Sequence, residues 1–114
     1  SNAALLDHVS VDIALASRAA GIAPPVAGVT VAIDAATVEA DMRAARGLGF
    51  GAKLCIHPSQ IAGVRAALRP SDDEVLWARR VLEASESSAG AVRVDGEMVD
   101  RPVVMRAQRI LQRL

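Results

Sequence analysis

Apolar residues first recur at a helical interval. Leu5, Leu6, Val9, Ile13, Ala16 and Ala20 share one face and Gly21 follows as a stop, which predicts a helix over residues 5–20. Pro24-Pro25 breaks it. The period then changes. VAGVTVAI, residues 26–33, is β-branched and almost continuously apolar, the pattern of a parallel strand buried on both faces. Asp34 ends that run. Val38, Met42 and Ala45 mark a helix face, closed by Gly47 and Gly49. Ala52 to Ile56 reads as a second buried strand, and Ile61, Val64 and Leu68 as a short helix after it.

Strand, helix, strand and helix in succession predict a parallel pair with a right-handed crossover, an α/β unit. Two such strands leave both sheet edges open. The sequence therefore expects neighbours: either the rest of a larger α/β fold or further copies of the chain.

The pattern changes again after Pro70. Ser71 and Glu74 have the spacing of a capping box, and Val75, Ala78 and Leu82 form the stripe of a helix ending near Ser87-Ser88 and Gly90. Asp95-Gly96, between Val92/Val94 and Met98, predicts a type I′ hairpin. Val103, Ala107, Ile110 and Leu114 then share a face of a last helix, with Pro102 in its first turn.

Composition narrows the function classes. Of 114 residues, 52% are hydrophobic and 2% aromatic, so the core is built from small side chains and lacks base-stacking platforms. Thirteen basic and thirteen acidic residues cancel, which removes the electrostatic reason to expect nucleic acid or a membrane as partner. No apolar run approaches the ~20 residues of a membrane span. Cys55 is the one cysteine and reads as a small buried hydrophobe, which suits a cytoplasmic protein. Ser1-Asn2-Ala3 matches the scar of a removed tag. No Cys/His set has metal-ligand spacing.

Three stretches carry a family resemblance: GFGAKLCIHPSQI, PSDDEVLWARRVLEA and AVRVDGEMVDRPVVMRAQRIL. In that order and spacing they resemble the C-terminal part of the citrate lyase beta-subunit-like branch of the HpcH/HpaI aldolase superfamily. ASRAAGIAPPVAGVTVAID is similar to that family's penultimate helix and seventh strand. The resemblance implies a fragment of a TIM (β/α)8 barrel, a fold of about 250 residues when whole. Residues 4–69 would be its last βα units, with strands 7 and 8, and residues 70–114 a helix–hairpin–helix lid extension. It also implies a Mg²⁺-dependent carbon–carbon lyase acting on acyl-CoA or acyl-carrier thioesters of small hydroxy acids, in a homo-oligomer, a trimer in related members. The family's metal ligands lie upstream of the matched segment, so the metal ligands are expected outside this chain. The alternative is a non-catalytic barrel remnant with an assembly or CoA-ester-binding role.

Within that resemblance three residues are site candidates. Asp100, in EMVDRP, matches the lid aspartate that works as an acid/base over a neighbouring subunit's site; it is equally placed to cap the helix before Pro102. Asp34 and His57 each follow a barrel strand, at the face where barrel sites lie, and are candidates for the thioester pocket. Asp34 is also suited to cap a helix. His57 lacks a paired base or ligand in sequence and reads more readily as a structural post, with Ser59 capping the next helix. Lys53 reads as a snorkelling side chain. Arg79-Arg80 read as a solvated face or as paired with Glu83.

Overall fold

The computed structural model describes residues 2–87 and 93–114. The chain divides into two compact units, Ser1–Leu68 and Arg69–Leu114.

The first unit opens with α1, Ala3–Ala19. Its end is a Schellman turn: Gly21 adopts φ +71°, the Ile22 N–H reaches Ser17 O (3.1 Å) and the Gly21 N–H reaches Arg18 O (3.1 Å). Strand β1, Val26–Ala27, then pairs in parallel with β2, Ala52–Lys53, across helix α2, Ala35–Gly47. The register is Val26 opposite Ala52 and Ala27 opposite Lys53. Gly49, at φ +102°, closes α2 by the same turn, with Phe50 N–H on Ala45 O (3.0 Å). A 3₁₀ turn, Pro58–Gln60, leads into α3, Ile61–Leu68.

Val38 and Met42 of α2 and Ala67 of α3 are fully buried. Burial of a side chain such as Val38 or Met42 stabilises by about 1.5–3 kcal/mol. The two helices meet at Gly63, where an added Cβ would lie 2.6 Å from the Ala35 carbonyl oxygen. The buried face of α3 is Gly63 and Ala67; Ile61, expected on it, is exposed.

The predicted strands are present but short, and their faces are open. Val29, Val31, Ile33, Leu54 and Ile56 are exposed, Val31 by 85%, and so is Cys55. Double-faced burial needs flanking strands and covering helices, and among the described residues β1 and β2 have only each other. The Lys53 Nζ donates to the Gly28 carbonyl at 2.6 Å, in an exposed bond.

The second unit is two helices and a hairpin. Helix α4, Asp72–Ser87, is capped by Ser71, whose Oγ accepts the Glu74 N–H at 3.1 Å. Residues 88–92, which include Val92 and Gly90 of the sequence reading, lie outside the described residues. Strands β3, Arg93–Val94, and β4, Glu97–Met98, are antiparallel around Asp95 (φ 51°) and Gly96 (φ +78°), both left-handed as a type I′ turn requires. Helix α5, Arg101–Gln112, packs on α4 around Ala78, Val81 and Ala107, all fully buried, with Trp77 and Val103 at the margin. Leu114 falls beyond α5 and is exposed. Arg80 pairs with Asp95 rather than Glu83, through Nη1–Oδ1 (3.2 Å) and Nη2–Oδ2 (2.8 Å), because the hairpin tip presents its carboxylate to α4.

Candidate functional site

Two strand-to-helix corners of the first unit hold Asp34 and His57. At the first, Asp34 is the N-cap of α2. Its Oδ2 accepts both the Thr37 N–H (2.9 Å) and the Thr37 hydroxyl (2.7 Å). These bonds, the hydroxyl's foremost, hold the carboxyl below its ordinary value, so it is an anion at neutral pH.

At the second corner, His57 rather than Ser59 caps the 3₁₀ turn. His57 Nδ1 accepts the Ser59 N–H at 3.0 Å. With Nδ1 accepting, Nε2 is the ring's donor position. The extended backbone at His57 aims its ring back over the turn, and Pro58 supplies the fixed φ of the first position. Ser59 Oγ is 2.8 Å from the same Nδ1 and donates to Ile33 O at 3.1 Å. That last bond ties the two corners together, since Ile33 precedes Asp34.

The Ser59–His57 contact does not make an activated nucleophile. The Nδ1 lone pair already holds a backbone N–H, and among the described residues His57 has no carboxylate partner to orient it.

Sequence reasoning overlooked Gln60. It is fully buried, its Oε1 accepts the Ile56 N–H (2.8 Å), and its Nε2 donates to Thr30 O (2.8 Å) and Ala32 O (3.0 Å). The signal was in view: a long polar residue closing the IHPSQ run, three positions after His57. Thr30 is buried beside it and donates to Asp41 Oδ2 at 2.6 Å.

Asp100 belongs to the second unit. It is the N-cap of α5, with Oδ1 accepting the Val103 N–H at 3.1 Å. The hairpin before it is tethered on two sides. Arg80 grips Asp95, and Arg106 lies 4.1 Å over the Trp77 ring and 3.6 Å from Glu97. So all three candidates act first as helix caps, and only Asp34 and His57 share a corner network.

Among the described residues no group of three or more His, Cys, Asp or Glu side chains could hold a metal ion. Nor is any helix among them long and apolar enough to cross a membrane.

No family model matches the chain. A citrate lyase subunit beta-like protein of Mycobacterium tuberculosis (strain ATCC 25618 / H37Rv) is 47% identical over 81 residues, 71% of this chain and 30% of that protein. One from Deinococcus radiodurans is 37% identical over 103 residues, 87% of this chain and 36% of that protein. The crystal structure of protein CitE from Mycobacterium tuberculosis in complex with magnesium, acetoacetate and coenzyme A matches with a TM-score of 0.76 and 43% identity. That match covers 93% of this chain and 40% of the other. Fold and sequence thus agree on one class, an α/β segment shared with the citrate lyases. The chain is a homologue of the citrate lyase subunit beta-like proteins, and its partial coverage fits their C-terminal portion. It spans about a third of the length of the curated relatives it matches.

Proposed function

We propose that this chain is the C-terminal part of a magnesium-dependent carbon–carbon lyase acting on acyl-CoA or acyl-carrier thioesters of small hydroxy acids, of the citryl or malyl type. The observation that carries the reading is the likeness, over 93% of the chain, to a protein solved with magnesium, acetoacetate and coenzyme A. In this reading β1 and β2 are strands 7 and 8 of a (β/α)8 barrel, and residues 70–114 are the lid extension. A cytoplasmic homo-oligomer, a trimer, belongs to the same reading.

The roles assigned to this chain are shaping, binding and proton transfer. Among the described residues nothing fits the metal, and its ligands are assigned to parts of the protein outside this sequence. Asp34 and His57 lie past the C-terminal ends of β1 and β2, at the turns into the next helical segments and on the side where barrel sites lie, and border the thioester pocket. Asp100, on the lid, exchanges a proton with substrate in an adjacent subunit. A carboxylate has two oxygens, so the cap bond at Oδ1 is compatible with proton transfer at Oδ2. The chain alone is inactive.

The test is to incubate the complete protein, and separately this chain, with a malyl or citryl thioester and Mg²⁺. The expected result is a shortened acyl thioester plus a keto acid from the complete protein, prevented by a chelator, and no product from the chain. A second reading, a non-catalytic assembly or CoA-ester-binding remnant, is favoured by the use of all three candidates as helix caps. Thioester binding by the complete protein without cleavage would decide for it.

A further inference from the structure

Backbone pairing between the two parallel segments stops partway, and a side chain takes over. Gly51 N–H meets Pro25 O at 3.1 Å and Leu54 N–H meets Ala27 O at 2.9 Å. One rung further, the Ile56 N–H meets Gln60 Oε1 instead, and the opposite carbonyls, Thr30 O and Ala32 O, meet Gln60 Nε2. The side-chain amide is thus interposed between the two segments where a direct backbone rung would otherwise run. Its orientation is fixed by its partners, one donor facing the oxygen and two acceptors facing the nitrogen.

We propose that Gln60 is a positioning residue: it spaces and registers the open ends of the two parallel segments, so that the corners bearing Asp34 and His57 form one edge of the thioester pocket. The inference rests on the functional reading given above. The opening outside the carboxyl ends of parallel strands is where α/β folds take ligands. Few residues suit the task. Glutamate at neutral pH has no proton for the two carbonyls, methionine has neither donor nor acceptor, and asparagine is one methylene short. A fully buried amide is a costly occupant unless each group is bonded, and here both donors and the acceptor are used. The Ser59–Ile33 bond is a second, weaker strut between the same corners.

The experiment compares Gln60→Met, Gln60→Glu and Gln60→Asn with the wild type in the complete protein. Readings are taken at a temperature where each variant retains its native circular dichroism. The expected result is a KM for the thioester raised about ten-fold or more with kcat little changed, since misplacement by about 1 Å costs up to about 10²-fold. Asparagine, which keeps both kinds of polar group, is expected to be the mildest. A purely structural glutamine would lower the melting temperature and leave KM of the folded protein as it was; that result overturns the proposal. The backbone amide signals of Asp34 and His57 give a second reading that needs no turnover: both are expected to shift in Gln60→Asn, and unshifted signals overturn the proposal too. If the wild type cleaves no thioester, the functional reading fails, and the amide signals alone decide whether Gln60 sets the two corners.

Discussion

At the scale of single residues, Asp34, His57 and Asp100 each use a side-chain atom to satisfy a backbone N–H at the start of a helical turn. Asp34 and His57 differ in what the cap bond leaves free. His57 accepts at Nδ1 and stays available as a donor at Nε2. Asp34 gains most from the Thr37 hydroxyl, then from the Thr37 N–H, and its carboxyl is held below the ordinary value of 3.8. A lowered folded value means that the unfolded chain binds this proton more tightly. The cap's contribution is therefore complete above the unfolded value and is lost as pH falls through it toward the folded one. Thr37→Val removes the hydroxyl and keeps the N–H. We expect its melting temperature to lie below that of the wild type at neutral pH, with the gap shrinking below about pH 4. Melting curves across a pH series check this, and a gap that widens in acid would contradict the assignment.

At the scale of elements, the sequence pattern announced much of what is seen. The two glycine-closed helices, the parallel pairing of the Val26 and Ala52 segments, the Ser71 cap and the Asp95-Gly96 hairpin were all legible, because each depends on local chemistry. Four features were not. The buried faces expected for Val29, Val31 and Cys55 require neighbouring strands, which no local pattern supplies. The choice of His57 over Ser59 as cap depends on where Ile33 lies, a contact across 26 positions. Gln60 looks in sequence like an ordinary polar residue, and its role depends on carbonyls 28 and 30 positions away. Gly63 shows the same limit: only the crossing of α2 and α3 reveals that a methyl there would meet backbone at 2.6 Å. Gly63→Ala is expected to destabilise by about 1–3 kcal/mol, although alanine favours helix, because backbone cannot retreat as a side chain can. Denaturant unfolding followed by circular dichroism tests this. A stabilised Ala variant would mean that the helices do not approach so closely.

At the scale of the whole molecule, the exposed faces of Val26, Val31, Ile33, Leu54 and Ile56 call for cover. Apolar strand surface with open edges favours association. Light scattering of this chain is expected to show a mass that rises with concentration, and a clean monomer with cooperative unfolding would count against that view. The wider claim is that residues 70–114 work as a lid in a thioester lyase, with Asp100 transferring a proton as well as capping α5. Asparagine separates these roles, since it caps a helix about as well as aspartate but cannot exchange the proton. The most direct measurement is steady-state thioester cleavage by Asp100→Asn in the complete protein, beside its melting temperature. The account predicts turnover reduced by about 10²-fold or more at an unchanged melting temperature. Wild-type turnover in the Asn variant would make Asp100 a cap alone and contradict it.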